Sequence, residues 1–289
     1  MASGILIVNK PQDWTSQDVV SKLRGVFHEK RVGHGGTLDP MATGVLPVFF
    51  GRATRAVEFF EHADKKYVAT LRLGQITDTQ DTTGNILETR EVHISERDVA
   101  QVLPKFIGKI QQIPPMYSAI KIGGKKLYEL ARAGKEVERK PREIEIFSLD
   151  MSHISGNDWH LTVHCSKGTY VRTLCHDIGL ALGCGGTMAS LERVAAGAYD
   201  LSQSCTLEEI VANENRESLL LPIDSLFLHH PKLIVTPAQE KCVRNGASFT
   251  LRGKYAGLYR VYGQNGEFLA LCRLENEVLS TIKSFFSVK

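Results

Sequence analysis

The chain has 289 residues, of which 43% are hydrophobic and 23% are charged, and its formal net charge is +3 at pH 7. This composition excludes an intrinsically disordered chain, and the longest apolar runs, such as VLPVFF (45–50), are too short to cross a bilayer as a helix. The six cysteines form no CxxC pair and show no metal-ligand spacing. We therefore expect reduced cysteines, no metal and a cytoplasmic protein of one large domain, or of a main domain with a small companion.

In the N-terminal third, strand and helix patterns alternate. Residues 4–8 read as a buried strand, and Thr15 with Asp18 forms a capping box for the helix that follows. Apolar and polar residues alternate over 67–73, which predicts a strand with one exposed face. Ser95 and Asp98 predict the start of a second capped helix.

Further along the chain, a short helix is predicted over 126–133 and strands over 142–149 and 159–165. The remaining predicted elements of this part are a helix over 170–182, a strand over 191–201 and a helix over 206–220. From about residue 230 the pattern changes to short strands and turns, and QNGEF (264–268) predicts a hairpin. We predict an α+β main domain over 1–229, built on a central, largely antiparallel sheet flanked by helices, and a small β-rich module over 230–289.

Positive charge is concentrated between Lys105 and Arg142. This segment has ten Lys and Arg against three Asp and Glu, a local balance of +7, so the rest of the chain stands at −4. Tyr117 and Tyr128 lie among the basic residues. A solvated basic face is one explanation; the other is a surface that binds a polyanion, and basic residues interleaved with aromatics favour nucleic acid.

The stretch RVGHGGTLDPMATGVLP (31–47) places four glycines around one carboxylate, Asp39, which Pro40 follows. An aspartate before a proline is common in turns. A glycine cluster also marks backbone that approaches another group closely. A phosphate-binding loop does not fit, because no Gly-Lys-Ser/Thr follows and no GxGxxG opens a helix after a strand.

The motif GHGGTLDPMATGVLP (33–47) resembles that of the TruB family of tRNA pseudouridine synthases. Other stretches match that family in the same order over residues 4–201: ILIVNKPQDWTSQDVV, KKYVATLRLGQITDTQDTTG, QIPPMYSAIKIGGKKLYELAR, HCSKGTYVRTLCHDIGLALGCGG and LERVAAGAY. The resemblance implies a pseudouridine-synthase catalytic domain that acts on uridine 55 in the T loop of tRNA. It also implies that 105–142 is the family's mobile insertion over the T arm, and that 230–289 is a PUA-type RNA-binding module.

Three catalytic residues follow from the resemblance. Asp39 matches the family's nucleophile, a carboxylate that attacks the sugar or the base of the target nucleotide. Tyr67 matches a tyrosine that stacks on the flipped base and whose hydroxyl is placed for proton transfer. Arg172 matches an arginine that pairs with the aspartate and keeps it ionised despite burial. We expect the glycines beside Asp39 to admit the flipped nucleotide to the loop backbone.

Other matching positions imply contacts with the substrate. His34 would displace the target base and fill its place, Tyr170 would line the uracil pocket, and Leu191 would contact the substrate. Alone, a loop histidine such as His34 is more often a surface residue, and a leucine such as Leu191 is more often a core residue. The remaining implied positions are two supports of the site and two lysines of the insertion that would meet phosphates: Lys10, Asp81, Lys125 and Lys126. One departure is Gly35, where the family often has threonine, so that this chain lacks a hydroxyl beside the histidine.

The implied reaction is redox-neutral and adds no group, so no cofactor is expected. The expected partner is tRNA, with no membrane and no protein partner required, and we expect a monomer. One alternative is a non-catalytic protein that binds or folds RNA on the same scaffold; such a protein would tolerate loss of Asp39 or Arg172, and this chain has both.

Overall fold

The computed structural model describes residues 2–287. Its strands are β1 (Gly4–Lys10), β2 (Val32–His34), β3 (Thr43–Phe50), β4 (Lys65–Leu73), β5 (Gln75–Thr77), β6 (Ile86–Thr89), β7 (Gly108–Gln112), β8 (Lys121–Ile122), β9 (Lys125–Lys126), β10 (Arg142–Ser155), β11 (Asp158–Cys165), β12 (Gly186–Ala196), β13 (Tyr199–Asp200), β14 (Lys232–Ile234), β15 (Phe249–Thr250), β16 (Gly257–Tyr262), β17 (Phe268–Glu275) and β18 (Val278–Ser284). Its α-helices are α1 (Ser16–Phe27), α2 (Val57–Phe60), α3 (Glu96–Val102), α4 (Leu127–Arg132), α5 (Val171–Ala181), α6 (Leu207–Ala212) and α7 (Pro237–Arg244).

One mixed sheet of nine strands organises the main domain. Seven strands run in the order β1-β3-β12-β4-β11-β10-β7, while β2 pairs with β3 and β13 with β12. The β3–β12 pair is parallel and the other neighbouring pairs of this sheet are antiparallel, which confirms the predicted largely antiparallel sheet. In β4 the residues alternate between buried and more exposed positions, and α1 and α5 contribute apolar side chains to the same core.

The helix starts agree with the capping signals in the sequence. Thr15 and Asp18 form the predicted capping box of α1, and Ser95 and Asp98 form that of α3. The helix predicted over 206–220 is wrong in its second half, because α6 ends at Ala212 and a separate 3₁₀ turn covers Arg216–Leu219. The break has a local cause: Asn213 Oδ1 accepts a hydrogen bond from the Asn215 backbone N–H, which competes with continued helix.

The basic segment divides into two parts. Its first strand, β7, pairs with β10 and belongs to the main sheet. Residues 113–141 leave the sheet and carry the β8–β9 hairpin followed by α4. We call residues 113–141 the insertion from here on.

The C-terminal part has its own sheet, in the order β14-β16-β17-β18-β15, and the hairpin predicted at QNGEF joins β16 to β17. Helix α7 was not predicted; its signals were present, since Thr236 caps it in a capping box with Gln239 and Pro237 is its first residue. This sheet packs against the main domain through an aromatic cluster in which Phe227 contacts Phe285.

Four of the six cysteines are buried, the other two are partly exposed, and none of the six forms a disulfide. Within residues 2–287, no helix is long and apolar enough to cross a membrane. The same residues contain no group of three or more His, Cys, Asp or Glu side chains arranged to hold a metal ion.

Candidate active site

A cavity of about 320 Å³ opens beside the glycine-rich loop that precedes β3. The loop, β4, β12, the start of α5 and one end of the insertion form its walls. Five of the predicted site residues line it together: Asp39, Tyr67, Tyr170, Arg172 and Leu191. The remaining lining residues are Gly36, Thr37, Leu38, Glu61, Lys65, Ser118, Ala119, Ser166, Lys167, Gly168, Thr169, Val171 and Arg193.

Asp39 is the first residue of a tight turn, and its side chain nevertheless faces the cavity. The Ala42 backbone N–H donates to the Asp39 carbonyl oxygen at 3.1 Å, with Pro40 in the second position of the turn. Asp39 is therefore both a turn residue and a residue of the cavity, since the turn directs its carboxylate to the cavity.

Three side chains hold the backbone of this loop on either side of Asp39. Arg193 Nη2 donates to the Gly36 carbonyl oxygen at 3.1 Å, and Lys10 Nζ donates to that of Pro40 at 3.2 Å. Ser16 Oγ accepts from the Leu38 N–H at 2.8 Å and donates to the Leu38 carbonyl oxygen at 3.1 Å. These contacts fix the backbone at alternate residues, which leaves Asp39 little freedom of position.

Arg193 is the main site residue that sequence reasoning missed. Its side chain is almost fully buried, and Nε donates to the Val45 carbonyl oxygen at 2.7 Å. On β12 it lies directly opposite Tyr67 of β4. A signal was available: Arg193 is two residues after Leu191, and in a strand such residues share a face.

Arg172 joins Asp39 to a second carboxylate. Its Nε lies 2.9 Å from Asp39 Oδ2, and its Nη1 lies 3.3 Å from Asp81 Oδ2. The contact with Asp39 therefore uses one nitrogen, Nε, and a different nitrogen, Nη1, contacts Asp81. Asp81 Oδ1 in turn accepts from the Thr79 hydroxyl at 2.8 Å and the Thr83 backbone N–H at 3.0 Å. These hydrogen bonds fix the Asp81 carboxylate, and the contact with Asp81 in turn fixes Arg172.

Opposing effects act on the Asp39 carboxyl. Burial raises its pKa and has the largest influence; the Arg172 guanidinium lowers the pKa, and the Asp81 carboxylate raises it again. The side chain is still 38% exposed, towards the cavity. Arg172 therefore lowers the pKa of Asp39, as expected, but burial raises that pKa by more.

Both tyrosines of the cavity keep their protons at neutral pH. Burial raises the pKa of Tyr67 and of Tyr170 above the usual value for a phenol. Each hydroxyl is therefore able to donate a hydrogen bond or a proton to a bound molecule.

Five predicted residues lie outside the cavity lining: Lys10 and Asp81, which contact Pro40 and Arg172 as described above, and His34, Lys125 and Lys126. His34 ends β2; within residues 2–287 its buried Nδ1 has no hydrogen-bond partner, and burial lowers its pKa, which favours the neutral ring. Lys125 and Lys126 form β9 of the insertion. Lys126 Nζ donates to the Tyr128 hydroxyl at 3.1 Å, whereas Lys125 is exposed.

Two glycines of the loop are needed for packing within the protein. A Cβ on Gly35 would lie 2.4 Å from the Phe60 ring, and one on Gly44 would lie 2.3 Å from the Arg193 carbonyl oxygen. Phe60 thus occupies the space that a threonine at position 35 would need. Of the loop glycines, Gly36 lines the cavity. The expectation that the glycines admit a nucleotide therefore applies to Gly36 alone.

Comparison with known proteins decides the family. The model of the TruB family pseudouridylate synthase N-terminal domain matches residues 24–171, and that of the tRNA pseudouridylate synthase B C-terminal domain matches residues 172–228. The chain belongs to the TruB family. The two TruB models meet inside α5, within the main domain, so the second of them is distinct from the β-rich module that begins near residue 230.

Relatives of known name agree with this assignment. The tRNA pseudouridine synthase B of Clostridium kluyveri is 42% identical over 290 residues, covering 98% of this chain and 99% of the relative. That of Alkaliphilus oremlandii is 50% identical over 244 residues, covering 84% and 82%. Among solved structures, a crystal structure of a Cbf5-Nop10-Gar1 complex matches with a TM-score of 0.75 and 26% identity, over 99% of this chain and 85% of that chain.

Proposed function

We propose that this TruB-family protein isomerises uridine to pseudouridine in tRNA, and that its target is uridine 55 of the T loop. The relatives named tRNA pseudouridine synthase B support the reaction and the substrate class. The single observation that carries the proposal is the contact between Asp39 and Arg172 at the cavity. A partly buried carboxylate at a cavity, paired with an arginine that lowers its pKa, is suited to act as a nucleophile.

The reaction breaks the bond between N1 of uracil and C1′ of ribose, and forms a bond between C5 and the same C1′. C5 loses a proton and N1 gains one, so that nothing is oxidised or reduced. In this proposal Asp39 attacks the nucleoside and Arg172 stabilises its charge. The Tyr67 ring packs against the base, and its protonated hydroxyl is available for hydrogen bonding or proton transfer. Tyr170 and Leu191 form other walls of the pocket.

The target nucleotide must leave the stack of T-loop bases to reach Asp39, because the carboxylate lies inside a cavity. In this proposal His34 fills the place that the base vacates, and Lys10 and Asp81 keep Asp39 and Arg172 in position. The insertion, with Lys125 and Lys126, contacts phosphates of the T arm. The module over 230–289 acts as a PUA-like RNA-binding unit beside the catalytic domain over 1–229.

The experiment uses the purified protein alone with an unmodified tRNA transcript, followed by mapping of pseudouridine. The expected product is one pseudouridine, at position 55, and a transcript with cytidine there should give none. Pseudouridine at another uridine would refute the T-loop target. Tight binding of the transcript without conversion would favour a non-catalytic RNA-binding protein, and conversion only after cell extract is added would show that a partner is required.

A further inference from the structure

One polar side chain of the cavity has no assigned role. Ser118 is 5% exposed, and within residues 2–287 its Oγ has no hydrogen-bond partner. Two other small hydroxyls of the wall are engaged: Thr169 Oγ1 donates to the Ser166 carbonyl oxygen at 3.0 Å, and Ser166 Oγ accepts from the Glu145 N–H at 2.9 Å. A third, that of Thr37, belongs to an exposed residue. Ser118 thus lines the cavity and carries a buried hydroxyl that makes no hydrogen bond.

A buried hydroxyl without a partner is unfavourable, because it has lost its hydrogen bonds to water without replacing them. Burial raises the pKa of Tyr170 and the neighbouring Ser118 hydroxyl lowers it in part, although the two make no hydrogen bond of normal geometry. The two hydroxyls therefore lie together at one side of the cavity, which both residues line.

Ser118 also lies where the insertion is joined to the proposed catalytic residues. The carbonyl oxygen of the preceding residue, Tyr117, accepts from Arg172 Nη2 at 2.9 Å. The carbonyl oxygen of Ser118 itself accepts from the Tyr128 N–H, at 3.1 Å, within α4 of the insertion. The main chain at Ser118 is thus tied to Arg172 on one side and to the insertion on the other.

We propose that the Ser118 hydroxyl donates a hydrogen bond to a carbonyl oxygen of the flipped pyrimidine base, so that the insertion takes part in binding the base. This inference rests on the proposed function. A base carbonyl oxygen is an acceptor only, and it would supply the partner that the Ser118 hydroxyl lacks. Ser118 is then a residue that contacts the substrate.

The test compares substrate analogues with a side-chain deletion. Two transcripts carry 2-thiouridine or 4-thiouridine at the target position, because sulfur accepts hydrogen bonds weakly. Single-turnover rates are measured at saturating enzyme for the wild type and for Ser118→Ala. We expect Ser118→Ala to slow conversion of uridine by about three- to tenfold, the usual effect of one hydrogen bond. One thio-substitution should slow the wild type by a similar factor and slow Ser118→Ala no further.

The matched control is Thr169→Ala, which removes a cavity hydroxyl that already has a partner. The thio-substitution should slow the single-turnover rate of Thr169→Ala by the same factor as that of the wild type. If the thio-substitution slows the wild type and Ser118→Ala by the same factor, the inference is overturned while the proposed function stays intact. A wild type that converts both thio-transcripts as fast as uridine overturns it also, even if Ser118→Ala does not fold. No pseudouridine from the wild type on the unmodified transcript would instead refute the proposed function.

Discussion

Three cations around Asp39 and two lysines of the insertion differ in burial and in their partners. Lys10, Arg172 and Arg193 are at most 5% exposed, and each donates to backbone carbonyl oxygens or contacts a carboxylate. Lys121 and Lys125 of the insertion are exposed to solvent. A buried cation has to be matched by fixed acceptors and so positions what surrounds it, whereas an exposed cation is free to meet a phosphate. A positive charge is thus suited to fix the geometry of the site in one region and to bind RNA in the other.

The largest effect should come from the carboxylate at the centre of the buried cations. Asp39→Asn keeps the shape of the side chain but replaces the nucleophile with an amide, so pseudouridine formation should fall by several orders of magnitude. Affinity for tRNA should change little, because the exposed cations remain. Single-turnover assays and a binding titration measure the two effects. A rate within about tenfold of the wild type would contradict the assignment of Asp39, since loss of a covalent catalyst costs far more.

The second prediction concerns Arg172, which separates two carboxylates. Arg172→Ala should reduce the rate by about two to three orders of magnitude, because it leaves a buried charge without its partner. Activity that needs ionised Asp39 rises as the pH passes through the pKa of that group. Arg172 lowers this pKa, so its removal should move the rise in activity to higher pH. A pH–rate profile measures the shift, and an unchanged profile would mean that Arg172 does not act on the reactive acid.

A companion variant sharpens this experiment. Asp81 raises the pKa of Asp39, so Arg172→Ala/Asp81→Asn should move the profile part of the way back. Arg172→Lys should restore only part of the rate: one ammonium group cannot reach Asp39, Asp81 and the Tyr117 carbonyl with the geometry of a guanidinium.

The third prediction tests Arg193 as a positioning residue. Arg193→Met leaves the carbonyl oxygens of Gly36 and Val45 without their donor, so we expect a loss of about 5- to 150-fold in kcat, with little change in KM. The pH at which activity rises should move less than it does in Arg172→Ala, because burial and the charges of Arg172, Asp81 and Lys10 have the largest effects on the pKa of Asp39. Arg193→Lys should recover part of kcat. An altered KM with unchanged kcat would place Arg193 in binding rather than in positioning.

Much of this site could be predicted from the sequence, and the missing part has a physical pattern. Short-range signals predicted the capped starts of α1 and α3. Motif matching selected five residues that the fold brings together at one cavity: Asp39, Tyr67, Tyr170, Arg172 and Leu191. What it missed are side chains that act on backbone carbonyl groups far along the chain. The spacing from Leu191 places Arg193 on the strand face that lines the cavity, but its contact with the Gly36 carbonyl oxygen has no signature in spacing or composition.

The interpretation of the loop glycines shows the same limit. Their crowding around Asp39 indicated a close approach, but it could not indicate to what. At Gly35 the approaching group is the Phe60 ring, and at Gly44 it is the backbone of Arg193. Both neighbours come from other elements of the fold, and only the assembled fold distinguishes a close approach to protein from one to a substrate.

The smallest effect is expected from the exposed cations, and it is seen in binding rather than in rate. Lys125→Ala/Lys126→Ala removes two charges that lie outside the cavity lining. Each lost phosphate contact should flatten the slope of log affinity against log salt by about 0.7 to 0.9. Lys126 already donates to Tyr128, so Lys125 should account for most of the change.

A matched control is Lys22→Ala/Lys30→Ala, which removes two exposed lysines outside the insertion and changes the net charge equally. If only overall charge matters, both pairs should weaken binding alike; if the insertion contacts phosphates, only the first pair should flatten the salt slope. The saturated single-turnover rate should survive in both variants. A fall in that rate for the insertion pair alone would mean that these lysines also close the wall containing Ser118, because the insertion is tied to Arg172 through the Tyr117 carbonyl. An unaltered slope for the insertion pair would remove Lys125 and Lys126 from the tRNA interface.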